Sequence, residues 1–237
     1  MDFWNRQSNR NRRILIVAII AVVIGGYLIV SSNLNSLANQ SVAAQPTNPN
    51  SAMYALGKLA VKAAATHDGY SREQFGSGWA PVGNCDMREF VLSRDMQNVK
   101  MAADNCTVTS ATLEDPYTGK TIQFARGPGT SSAVQIDHIV AVSNAWQTGA
   151  QELSPEVREQ LYNDPLELLA VDGKANDDKG ASDASGWLPP NKTYDCRYVA
   201  RQIAVKQKYQ LWVTPSEHTA MQRTLNVCPD QLLPTIH

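Results

Sequence analysis

Two apolar runs organise the second half of the chain: Val134-Gln135-Ile136-Asp137-His138-Ile139-Val140, and residues 166–171. Both have the length of buried strands. Both are bounded by turn formers, Gly127-Pro128-Gly129 ahead of the first and Asp172-Gly173 behind the second. A short polar helix carrying Asn176 and Lys179 is predicted straight after that turn. Around this centre the pattern is helical. Leu56, Leu59, Ala60 and Ala63 predict an amphipathic helix over 53–65. Further helices are predicted over 87–96, 140–147 and 194–211. Another runs over 155–162, with Ser154 as cap and Pro155 at its first position. The last begins at Thr214, where Pro215 and Glu217 complete a capping-box pattern. One more short strand, 121–125, follows the turn Asp115-Pro116-Tyr117-Thr118-Gly119. The expected fold class is α+β, mainly helical around a small β element.

The front of the chain differs. Arg6, Arg10, Arg12 and Arg13 precede an uncharged apolar run, 14–30. Its 17 residues sit at the lower limit for a membrane-crossing helix, and the arginines favour a cytoplasmic N-terminus. The run reads either as an uncleaved signal anchor or as a signal peptide cut near Ser36-Leu37-Ala38. Either way the remainder is exported, tethered to the membrane or secreted. The expected organisation is a basic cytoplasmic segment over 1–13, the anchor or signal over 14–30, a flexible linker over 31–50 and one globular domain over 51–237.

The cysteines agree with export. Cys85, Cys106, Cys196 and Cys228 are widely spaced, with no Cys-x-x-Cys pair to suggest a zinc or redox site. Of the three possible pairings, the two local loops are expected, Cys85–Cys106 and Cys196–Cys228. Loops of that size stabilise by about 3–4 kcal/mol each on the chain-entropy account. Charge changes the picture once the N-terminal 30 residues are set aside: 17 basic residues then face 21 acidic ones, a balance of −4. A protein of that charge does not attract nucleic acid through a global field; affinity has to come from a local groove and a metal.

The candidate chemistry lies in Asp137-His138. Adjacent strand residues point to opposite faces, so both reach one site only where the strand ends. Asp137 is a hard oxygen ligand suited to Mg²⁺ or Mn²⁺. His138, with an ordinary pKa near 6.5, can take a proton from water. Asn176, on the following helix, offers an amide oxygen as a second protein ligand. One metal ion so held, with a histidine beside it, has the parts needed for phosphodiester hydrolysis. Asp177 and Asp178 could also reach the ion. There is no Gly-x-Ser-x-Gly elbow and no phosphate-cradling glycine loop, which disfavours a serine hydrolase and a nucleotide-binding enzyme.

The ordered set Ile136-Asp137-His138-Ile139-Val140, Ala145-Trp146, Asn163-Asp164-Pro165-Leu166, Asn176 with Lys179-Gly180, and Trp187-Leu188-Pro189-Pro190 resembles the ββα-metal, or HNH, endonucleases. It is similar in particular to an exported bacterial HNH family related to the C-terminal domain of GmrSD restriction enzymes. The likeness spans roughly residues 65–228. It implies His138 as general base, Asp137 and Asn176 as metal ligands, and Lys179 on a scissile or flanking phosphate. Asn163 would be the middle asparagine that braces the loop between the strands, although many relatives carry asparagine at the position of Glu167. The implied activity is metal-dependent cleavage of DNA, in preference to RNA, with little sequence specificity. The alternative is a non-catalytic cell-surface binding module that keeps the fold. Among other residues, Trp187 and Tyr117 read as packing groups, Arg126 as solvated or phosphate-facing, and His67, His218 and His237 as surface residues.

Overall fold

The computed structural model describes residues 48–235. The expected cytoplasmic segment 1–13, the membrane or signal segment 14–30 and linker positions 31–47 lie outside the described residues, as does His237. Among the described residues no helix is long and apolar enough to cross a membrane.

The described elements are α1 (Ala52–Leu56), β1 (Pro81–Val82), β2 (Cys85–Asp86), α2 (Met87–Asp95), β3 (Gln97–Met101), β4 (Val108–Glu114), β5 (Thr121–Ala125), β6 (Val134–His138), α3 (Val142–Gln147), α4 (Pro155–Tyr162), β7 (Leu168–Asp172), α5 (Gly173–Lys179), α6 (Asp195–Lys208) and α7 (Pro215–Leu225). The fold is mixed α and β. Beside the helices, the strands form three separate antiparallel sheets, β1-β2, β3-β4-β5 and β6-β7. Strands β3 and β4 escaped the sequence reading because they pair as a hairpin with a register shift and a mostly exposed outer strand, which leaves no clean alternation to read.

The predicted helix over 53–65 is also corrected. It stops after Leu56, with Gly57 as cap. The chain beyond it runs extended, Lys62 N–H donating to Val213 O (3.0 Å) and Ala65 N–H to Gln147 O (2.8 Å). Tertiary backbone pairing outcompetes a helix whose spacing was only apolar-periodic. Three later helices start at side-chain caps: Ser154 accepts from Val157 N–H, Asp172 from Ala175 N–H, and Thr214 and Glu217 form the full capping box.

Strand β7 explains its own unbroken apolar run. Leu168 and Ala170 pack with Val91, Leu92 and Phe124 on one face, while Leu169 and Val171 pack with Val199 and Ile203 of α6 on the other. A strand covered on both faces has no polar side to show, and each such residue contributes about 1.5–3 kcal/mol by burial. Helix α5 follows β7 with no intervening loop. Gly173 is required there by close approach rather than by a turn, because a side chain would collide with the carbonyl of Ser132. The disulfides are Cys85–Cys106 and Cys196–Cys228, with Cα separations of 5.5 and 6.5 Å. The first joins β2 to the β3–β4 turn, and the second joins α6 to the chain beyond α7.

Candidate active site

Strand β6 pairs with β7 along one edge, Asp137 opposite Leu169 and His138 opposite Leu168. A cleft of about 480 Å³ is lined by four successive residues of β6, Gln135 to His138, together with Arg72, Ser143, Asn176 and Asp177. Ala141 to Ser143, just past the end of β6, line it too. Adjacent strand residues point to opposite sides, and at this strand end both Asp137 and His138 border the cleft.

Asp137 is 5% exposed. Its Oδ1 accepts from Lys179 Nζ at 2.8 Å and its Oδ2 accepts from the Tyr117 hydroxyl. Lys179, 1% exposed, also donates to the carbonyl of His138 at 2.7 Å. Burial pushes the Tyr117 phenol well above its usual range, and the neighbouring Asp137 charge adds to that. Tyr117 reaches this position from the turn after β4. Asp115 holds that turn, accepting from Thr118 N–H (2.7 Å) and from the backbone N–H of Asp172 (2.9 Å). One aspartate thus joins the tyrosine turn to the cap of α5.

His138 is 4% exposed. Its Nε2 lies 3.0 Å from the carbonyl oxygen of Tyr162. A carbonyl only accepts, so Nε2 carries the proton and the neutral ring keeps its lone pair on Nδ1. The ring is stacked on Trp79, with centroids 5.7 Å apart and planes 7° from parallel, and it meets the Tyr162 ring at 4.2 Å. Burial pulls its pKa down to about 3; Arg72 and, more weakly, Lys179 add to the fall, while the Tyr162 carbonyl opposes it. The imidazole is therefore neutral at physiological pH.

Asn176 borders the same cleft, its Nδ2 donating to Gln135 Oε1 at 2.7 Å, and Gln135 Nε2 in turn reaches Asp177 Oδ1 at 3.2 Å. The Asn176 amide oxygen takes no hydrogen bond among the described residues. Among those residues no group of three or more His, Cys, Asp or Glu side chains is arranged to hold a metal ion. The donor chemistry of the cleft nevertheless suits a hard cation: Asp137, Asn176 and Asp177 offer oxygen and no sulfur. A cation at Asp137 shares that carboxylate with the Lys179 ammonium.

The structure brings Asp137, His138, Asn176 and Lys179 together and leaves Asn163 apart. Lys179, expected on a phosphate, is enclosed against Asp137 and does not line the cleft. Asn163 closes α4; its Oδ1 accepts from Ala80 N–H (2.8 Å) and its Nδ2 donates to Gly78 O (3.3 Å), pinning the loop that carries Trp79. It borders a second, larger cleft of about 840 Å³ that contains neither Asp137 nor His138. The segment after His138 is braced by Glu167. Its carbonyl accepts from Ile139 N–H (2.9 Å) and its Oε2 from Val140 N–H (3.2 Å). Burial pushes the Glu167 carboxyl well above the usual range, against weaker pulls from the Val140 N–H and Lys179. Arg94 and Arg201 secure the same stretch, both donating to Leu168 O, at 2.6 and 2.7 Å.

Two residues of this site, Trp79 and Arg72, went unread in the sequence, and a third, Tyr117, was read only as a packing group. Trp79 and Arg72 lie in an aperiodic, glycine-rich stretch far from Asp137-His138, with nothing local to link them. Tyr117 sits in a strong turn signal, which specifies a backbone conformation and not a partner.

The family of GmrSD restriction endonuclease C-terminal domains matches residues 87–224. A protein of Arthroderma benhamiae (strain ATCC MYA-4681 / CBS 112371) described as "Uncharacterized secreted protein" is 37% identical over 207 residues, covering 85% of this chain and 98% of the relative. That relative is fungal, where the sequence resemblance pointed to bacterial proteins. No solved structure matches significantly.

Proposed function

This chain belongs to the family of GmrSD restriction endonuclease C-terminal domains, and from that premise we propose that it is an extracytoplasmic, metal-dependent endonuclease acting on DNA with little sequence specificity. The observation that carries this reading is the bond from His138 Nε2 to the Tyr162 carbonyl. It fixes the tautomer whose Nδ1 is the free base, on a cleft shared with Asp137 and Asn176.

In this reading β6, β7 and α5 form the ββα-metal element. Asp137 and Asn176 hold one Mg²⁺ or Mn²⁺ ion, which when bound stabilises the charge developing on the phosphate and on the leaving 3′ oxygen. His138 Nδ1 takes the proton of the attacking water. A ring with so low a pKa is a weak base in the free protein; an anionic phosphate entering the cleft favours its protonated form and strengthens it. Trp79 and Tyr162 hold the ring plane, Glu167 braces the backbone after it, and Lys179 and Tyr117 fix the carboxylate. Two disulfides and the secreted fungal relative support an extracellular location.

The second reading, a non-catalytic binding module, is favoured by the engagement of both Asp137 oxygens and the small exposure of His138. Plasmid nicking with Mg²⁺ or Mn²⁺, with and without chelator, separates the two. Nicking that disappears with chelator supports the nuclease. Intact plasmid under every metal condition, from folded protein with both disulfides formed, supports the binding module.

A further inference from the structure

The residues lining the cleft include two carboxylates, Asp137 and Asp177, and one cation, Arg72. Lys179 is close by but is enclosed against Asp137. A polyanion entering this cleft therefore meets a single exposed positive group, and the mildly acidic exported domain supplies no global attraction.

Arg72 is held in a way that leaves its charge available. Its Nε donates to the Tyr162 hydroxyl at 3.2 Å, and its guanidinium lies over the Tyr162 ring at 5.5 Å. That is its one hydrogen bond among the described residues, and no carboxylate of those residues lies within ion-pair distance of it. Arg88, Arg94 and Arg126 are each paired with a carboxylate; Arg158 and Arg201 are committed to backbone carbonyls. The bond and cation–π contact to tyrosine orient the planar group while its two terminal amino groups stay unbonded, the form in which arginine binds phosphate with two parallel hydrogen bonds. Tyr162 is also the residue whose carbonyl holds His138. One side chain and its own backbone thus set both the imidazole and the guanidinium.

Arg72 belongs to a 3-10 turn, Arg72–Phe75, that precedes the region matched by the family, residues 87–224. We propose that Arg72 is the substrate-phosphate contact of this cleft. The inference rests on the nuclease reading for its substrate, a DNA strand. Its geometry rests on the cleft alone.

The test measures binding and cleavage separately. A short fluorescein-labelled DNA duplex is titrated with full-length protein in chelator, across a salt series, by fluorescence anisotropy; plasmid nicking is measured with Mg²⁺ or Mn²⁺. Arg72→Gln is expected to weaken duplex binding roughly tenfold and to lower the salt slope by about 0.9, the signature of one lost phosphate contact. Arg72→Lys should restore the salt slope and only part of the affinity. Unchanged thermal melting of both variants places the effect in the cleft and not in the fold. Equal affinity and slope in Arg72→Gln, with wild-type nicking intact, overturns the inference and leaves the nuclease reading standing. Wild-type protein that never nicks but loses binding in Arg72→Gln sinks the nuclease reading and leaves Arg72 as the phosphate contact of a binding cleft. Failure of the wild type to bind the duplex at all sinks both.

Discussion

Lys179 Nζ lies 2.8 Å from Asp137 Oδ1, and both side chains are buried. A buried pair tolerates loss of both charges far better than loss of one, because a lone partner keeps its desolvation cost without compensation. Lys179→Ala is therefore expected to destabilise the domain by about 3–5 kcal/mol, read as a shift of the urea unfolding midpoint. A change below about 0.5 kcal/mol, the level of an ordinary surface substitution, would show that this lysine does not support the aspartate.

His138→Ala removes the base and leaves the backbone contacts of β6. Nicking should fall roughly a hundredfold or more while circular dichroism stays native. Wild-type cleavage by this variant would eliminate His138 as the proton acceptor.

Glu167 gives a pH prediction with a definite sign. Burial raises its folded pKa above the ordinary value of 4.5. The folded state then binds the proton more tightly than the unfolded one. The stability tied to that proton is fully present below pH 4.5 and is lost as pH rises toward the folded pKa. Glu167→Gln keeps the shape and cannot ionise. Its stability relative to wild type should therefore improve as pH rises above 4.5 and level off beyond the folded pKa, measured by urea unfolding at several pH values. A difference that is flat with pH would mean that Glu167 is not held protonated.

Asn163→Ala should act at a distance. It removes the acceptor for Ala80 N–H and the donor to Gly78 O, at a cost of about 1–3 kcal/mol. It also frees the loop under Trp79, so the near-ultraviolet dichroism of tryptophan should change and nicking turnover should drop with little change in duplex affinity. A drop confined to affinity would instead mark Asn163 as a substrate contact.

The sequence by itself determined the local features. Helix starts are written in single residues, so Ser154 and Thr214 cap where they were expected to cap. The order β6, β7, α5 follows from two apolar runs and an Asp-Gly step, and the cysteine pairing follows from the short loops each pair closes. Asp137, His138 and Asn176 could be singled out because their chemistry is carried by residue type within a compact stretch. Only the tertiary structure decided what each of them touches. The enclosure of Lys179 against Asp137, the Tyr117 hydroxyl on the same carboxylate, the Glu167 bond to Val140 and the Asn163 bond to Ala80 all depend on which loops pack together. So does the arrival of Trp79 and Arg72 beside an imidazole some sixty residues later in the chain. Short-range propensity is encoded every few residues, but a contact across such a separation is set by the packing of the whole core, and no local periodicity records it.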